Sequence, residues 1–183
     1  VVDGSVSACA PTAILCEGFE TGVIDTVRWN LFQMNGTATL DSTRVARGTW
    51  ALHARSLATT NVKVQLAHTL ASWPEILYFR AFVYAAPIVI GTEVFAWLQP
   101  TSGASGVQLE TDTQSRLTFD SWSIGMGPTR SATAMVADRW VCLEWQVVRG
   151  SPGAMSLSVD DVPLSDMQAI ARTTPAIMED VKV

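Results

Sequence analysis

Apolar and polar residues alternate with a period of two along most of the chain. In one run Leu77, Phe79, Ala81 and Val83 interleave with Tyr78, Arg80, Phe82 and Tyr84. In another Val141, Leu143, Trp145 and Val147 interleave with Trp140, Cys142, Glu144 and Gln146. Side chains of a strand point alternately to its two faces, so this pattern predicts half-buried strands rather than helices. It predicts strands over residues 14–20, 29–34, 37–41, 49–55, 62–70, 76–85, 93–99, 106–111, 116–121, 140–148, 155–159 and 176–183. Only residues 164–171 read as a short helical turn. Turn chemistry punctuates the strands at Asn35-Gly36, Arg47-Gly48, Gly127-Pro128 and Asp160-Asp161, and within 103–106 and 150–153. Many short strands at this spacing predict an all-β fold, an antiparallel sandwich or barrel. No internal repeat or linker interrupts the pattern. A lead-in over 1–11, small and polar, is expected to precede a single domain over 12–183.

Composition narrows the function classes. The chain has 183 residues, of which 48% are apolar and 16% charged, with a net charge of −5. The charged share is well below the roughly 25% of an average soluble domain, and so apolar a chain is not disordered. A pI near 4.9 argues against a nucleic-acid binder, which presents a basic patch. The longest apolar stretch, 76–90, is interrupted by Tyr78, Arg80, Tyr84 and Pro87, and is too short and polar to span a bilayer. No leader precedes Val1, so any export signal is expected to have been removed. The Ser-, Thr- and Ala-rich, Lys- and Arg-poor character is that of an exported protein.

Strand parity also separates a core from a candidate ligand face. Leu77, Phe79, Leu98, Leu109, Phe119, Leu143 and Trp145 are expected inside. If the strands share a sheet, the opposite face carries Tyr78, Arg80, Tyr84, Trp97, Gln99, Gln108, Glu110, Arg116 and Glu144. This is the chemistry of a sugar-binding face. Aromatic rings receive the C–H side of a pyranose, and amides, carboxylates and guanidinium groups pair with its hydroxyls. The plain alternative is the solvated face of a sheet. Trp97 is the most informative member, because an exposed Trp has little structural reason to be there.

Cys9, Cys16 and Cys142 allow three single bridges and leave one thiol over. Cys16–Cys142 is the favoured pair, because both sit in strand-like patterns and Cys9 sits in the lead-in. No Cys-x-x-Cys pair or Cys/His cluster suggests zinc.

Several motifs, taken in order, resemble concanavalin A-like sandwich domains of the laminin-G and MAM-like branches. Cys16-Glu17-Gly18-Phe19-Glu20 followed by Trp29 resembles their first strand, with one extra residue. Arg47-Gly48-Thr49-Trp50-Ala51-Leu52-His53 and Leu77-Tyr78-Phe79-Arg80-Ala81-Phe82-Val83 resemble two further strands. Trp140-Val141-Cys142-Leu143-Glu144-Trp145 resembles another, and Asp160-Asp161 stands where a hairpin Asp-Gly is usual. The resemblance covers nearly the whole chain from Ala13. It implies a two-sheet jelly roll of the kind found in secreted or lipid-anchored bacterial surface proteins. It also implies structural calcium held by Glu20 and Asp180, with Asp41 as a further carboxylate. The last strand of such domains is either Glu179-Asp180-Val181 or missing, which would leave an unpaired edge.

Polysaccharide lyases share this sandwich. They use a Tyr or His base beside a group that neutralises the uronate. Tyr78, Tyr84, Arg80, Gln99 and His53 are the candidates, but the Gln-hydrophobic-His motif of alginate lyases is absent. His68 shares a strand face with Val62, Val64, Leu66 and Leu70 and reads as a core or edge residue. Related glycosidases need two carboxylates about 5 Å apart on one strand. Here Glu110-Thr111-Asp112-Thr113-Gln114 begins that pattern and then fails. Asn35-Gly36-Thr37 matches a glycosylation sequon but reads as a hairpin turn. The expected function is a non-catalytic extracellular carbohydrate-binding or adhesion module, its partner a polysaccharide or glycan. The alternatives are a polysaccharide lyase using the same groove, and a surface-assembly subunit that meets another protein chain at an open strand edge.

Overall fold

The computed structural model describes residues 10–57, 60–86, 92–100, 102–103, 105–122, 127–174 and 180–183. The chain forms two compact units, Val1–Ala67 and His68–Val183. Most of the expected lead-in therefore lies outside the described residues.

In the first unit, β1 (Asn30–Met34) pairs antiparallel with β4 (Lys63–Thr69), whose last two residues enter the second unit. A hairpin-like partner pair, β2 (Gly36–Asp41) and β3 (Ala51–Ser56), forms beside them in sequence. Asn35 turns the chain between β1 and β2 at φ 52°, a conformation Asn tolerates better than most residues. The expected strand over 14–20 is not formed. Carboxylates tie this stretch into turns instead. Glu17 accepts the Phe19 N–H at 2.7 Å and the Trp29 indole N–H at 3.0 Å, and such side-chain bonds compete with a strand ladder. Glu20 accepts the Thr49 N–H with both oxygens, at 3.1 and 2.9 Å. Gly48 is at φ 74°, a left-handed conformation that favours glycine, and it leaves room for the Glu20 carboxylate.

The second unit is an antiparallel jelly-roll sandwich. Its strands are β5 (Ile76–Tyr84), β6 (Glu93–Gln99), β7 (Gly106–Thr111), β8 (Arg116–Trp122) and β9 (Thr129–Ala134). They continue with β10 (Trp140–Val148), β11 (Gly153–Val159), β12 (Val162–Pro163), β13 (Ile170–Arg172) and β14 (Asp180–Lys182). One sheet runs β14-β6-β7-β8-β9, and the other runs β12-β11-β10-β5 with β13 also on β11. Asp160 and Asp161, at φ 52° and 64°, make the tight turn from β11 to β12 without glycine. The helical turn expected over 164–171 is a single 3-10 turn, Ser165–Met167.

The core lies between the two sheets of this unit. Leu98, Leu109, Phe119, Leu143 and Trp145 are fully buried, as parity predicts, while Leu77 and Phe79 are partly buried against them. The Cys16–Cys142 bridge is not formed. Cys142 is a buried free thiol, its Sγ receiving the Arg80 Nε–H at 3.2 Å. Cys16 is disulfide-bonded, but not to Cys142. The pairing failed because it assumed that Cys16 lies in a strand, and 14–20 is a loop.

Candidate functional site

The single polar face expected from parity is two faces. Alternation tells which side of a strand is apolar, but not which sheet the strand joins. The polar positions of β5 and β10 lie on one sheet, and those of β6 and β7 on the other. Both sets point away from the common core. Tyr78, Arg80, Tyr84 and Glu144 are thus separated from Trp97, Gln99, Gln108 and Glu110.

Register sets the first face in rows. Lys182, Trp97, Gln108 and Asp120 stand opposite one another across β14, β6, β7 and β8. The next row is Val94, Glu110, Thr118 and Arg130, across β6 to β9. A bulge between Val94 and Ala96 realigns β6 against β7. Trp97 is half-buried, not fully exposed, and the Lys182 ammonium sits 4.7 Å from its ring centroid. Gln99 is buried, with Gly103 beside its amide.

Glu110 is the most perturbed group of this face. It is 7% exposed, and burial, aided by the negative Asp120, pushes its carboxyl up to about 7. Gln108 Nε2 donates to it, which opposes the shift. Two strands' ends are clamped beside it. Arg116 donates to Asp112 from Nη2 at 2.6 Å and Nε at 2.8 Å, and Arg130 Nε lies 3.3 Å from the same carboxylate. The Arg116 side chain, helped by the Arg116 and Gln114 backbone N–H groups, holds Asp112 down to about 2. Arg116 is thereby committed to the β7–β8 turn.

On the second face, Arg80 opposes Glu144, which opposes Ser158; Tyr78 opposes Gln146, which opposes Ser156. Arg80 pairs with Glu144 at 3.4 Å and Asp161 at 3.3 Å. Tyr78 is 72% exposed, and Gln146 Nε2 donates to its hydroxyl at 3.0 Å. Tyr84 packs edge-on to Trp140, with centroids 5.6 Å apart, and donates to Asp138. An open groove of 360 Å³ runs over Tyr78, Arg80, Glu144, Gln146, Ser156 and Ser158.

Two solved structures share this fold over most of their length. One is titled "Cellulose induced protein, Cip1", with 14% identity, TM-score 0.68, and coverage of 90% of this chain and 85% of that one. The other is the endo-β-1,4-glucuronan lyase of the fungus Trichoderma reesei, with 15% identity, TM-score 0.59, and coverage of 85% and 78%. A carbohydrate-binding module CBM66 from Bacillus subtilis gives TM-score 0.45 at 10% identity, covering 82% and 88%. No family model matches the chain, and no curated protein does. At these identities the likeness shows the jelly-roll sandwich.

The lyase constellation does not assemble as expected, since Gln99 is on β6 and Tyr78, Arg80 and Tyr84 are on β5, in different sheets. The Glu20 carboxylate, engaged by one backbone N–H, keeps acceptor capacity for a cation. Asp180 accepts the Thr69 hydroxyl at 2.7 Å, and Asp41 accepts that of Thr43 at 2.6 Å. Among the described residues no three His, Cys, Asp or Glu side chains converge as a metal cage. Sequence reasoning missed Lys182, Asp120 and Arg130 on the first face, and Gln146, Ser156 and Ser158 on the second. Parity of β10 and β11 already marks the latter three, but their adjacency needs the register.

Proposed function

We propose that this protein is an extracellular carbohydrate-binding module that holds a polysaccharide on the β6–β9 face without transforming it. The observation that carries the reading is the pair of rows across that face. Trp97 supplies ring area, Gln108 and Asp120 supply planar hydrogen-bonding groups, and Glu110 and Arg130 extend them. Their spacing follows the strand spacing, about 4.5–5.5 Å between opposed positions, which is the scale of one sugar ring. Secretion or display on a bacterial surface is the setting proposed, and the disulfide at Cys16 supports an oxidising compartment. A glycan array with the wild type, Trp97→Ala and Gln108→Ala tests this. Binding that both substitutions weaken is the expected result; no binding by the wild type, or binding indifferent to both, overturns it.

One observation favours a second reading, that of a polysaccharide lyase on the same face. A carboxyl titrating at about 7 holds and releases a proton under working conditions, as a general acid or base must. Incubation with a panel of uronic-acid polymers decides this by the absorbance of unsaturated uronate. An increase lost in Glu110→Gln would replace the binding module with the enzyme. The proposed protein partner would add a strand along β5, which ends its sheet among the described residues. Concentration-dependent elution on size exclusion is its test.

A further inference from the structure

We infer a second, separate binding site for a neutral oligosaccharide in the groove over β5, β10 and β11, on the sheet opposite the β6–β9 face. Tyr78 is its platform. Its ring is 72% exposed on the strand face and so open to contact, and the Gln146 amide holds it in place at 3.0 Å. A pinned ring loses little freedom when a sugar packs on it, so more of the contact energy appears as affinity. Beyond it, the register lines up Gln146 with Ser156 and Glu144 with Ser158. These rows offer amide, carboxylate and hydroxyl groups at the spacing of a strand ladder.

Charge selects the ligand class. One cation, Arg80, is shared by two carboxylates, Glu144 at 3.4 Å and Asp161 at 3.3 Å. The groove therefore has no spare positive charge to offer a uronate, sulfate or phosphate, and the excess carboxylate repels them. A neutral pyranose meets no such penalty. Its hydroxyls donate to Glu144 and exchange hydrogen bonds with Gln146 and the serines. The volume of 360 Å³ lies at the small end of the roughly 300–1,000 Å³ typical of ligand sites. It suits a short stretch or an end of a chain. Because the two sites lie on outward faces of different sheets, this inference does not rest on the first site being used.

The test is calorimetric titration of the full chain with cellohexaose, xylohexaose and mannohexaose, and with a hexamer of glucuronic acid. Expected is binding of at least one neutral hexamer, weakened tenfold or more by Tyr78→Ala and less by Tyr78→Phe, which keeps the ring. Ser158→Arg, which fills the groove, abolishes it, and both losses persist when Trp97→Ala has silenced the first face. Tyr78 is exposed, so its replacement should not unfold the chain; the thermal midpoint of each variant checks this, and Ser158→Arg stands in if Tyr78→Ala is unstable. In the Trp97→Ala background, the inference is overturned if no neutral hexamer binds, if Tyr78→Ala and Ser158→Arg change nothing, or if the acidic hexamer is preferred. Loss through Trp97→Ala alone would place all binding on the first face and remove the second site, while leaving the first intact.

Discussion

Phe119 and Trp145 stack across the core, one from each sheet, with ring centroids 6.2 Å apart and planes 25° apart. Both are fully buried, so this pair fastens β8 to β10 and sets the separation on which both outward faces depend. Trp145→Ala should destabilise by about 3–5 kcal/mol, the usual cost of emptying a large aromatic site. Trp145→Phe should cost much less. It keeps the stack and deletes an indole N–H that has no hydrogen-bond partner among the described residues. Urea unfolding of the two variants checks the order. Equal losses would mean that the stack itself contributes little.

Arg172 is a charged residue in the interior, 1% exposed. Its guanidinium donates to the Gly127 carbonyl at 2.7 Å, the Thr129 hydroxyl at 2.6 Å and the Phe119 carbonyl at 3.3 Å. The fork joins β13 to β8 and β9. Lysine offers its three N–H groups from one nitrogen and cannot span acceptors set out to fit the planar guanidinium fork. Arg172→Lys should therefore lower stability by about 1–3 kcal/mol, the cost of leaving buried acceptors unpaired. A surface Arg→Lys control, such as Arg44→Lys, should change little. Thermal melts of the two side by side decide it.

Calcium at Glu20 is a proposal drawn from the resemblance of the first segment to its family. The carboxylate already fixes Thr49, and a cation would use its remaining lone pairs. Anything that binds only the folded state raises its stability by mass action. Millimolar calcium added to chelator-treated protein should raise the thermal midpoint, and Glu20→Gln should remove the rise. An unchanged midpoint in the wild type would sink the idea.

Period-two alternation made the strands legible, because a half-buried strand writes its two faces into the sequence. It failed where side chains, not the ladder, take the backbone groups, as Glu17 and Glu20 do over 14–20. It was silent on β9, where Ser131, Ala132 and Thr133 carry no apolar contrast, although Ser131 is buried under Asp166. The candidate residues were recognisable by type. Their grouping was not, because sheet membership depends on long-range pairing that parity does not encode. Arg172 gave no signal at all, since an isolated arginine near a short strand reads as solvated.

Glu110 makes stability depend on pH with a sign opposite to that of most carboxylates. Its pKa is raised from 4.5 to about 7 in the folded protein, chiefly by burial. Between those values the native state holds a proton that the unfolded chain releases. Stability is therefore greatest below the unfolded value and falls as pH rises through about 7. The full shift corresponds to at most about 3 kcal/mol, and solvent reaching the groove reduces it. Glu110→Gln has no such proton to lose. The variant should match the wild type near pH 5 and exceed it in stability at pH 8. Asp120→Asn, which removes the neighbouring negative charge, should soften the wild-type decline without abolishing it. Urea midpoints at pH 5, 6.5 and 8 for the three proteins give the answer. Parallel profiles for wild type and Glu110→Gln would show that the carboxyl titrates as an ordinary surface group.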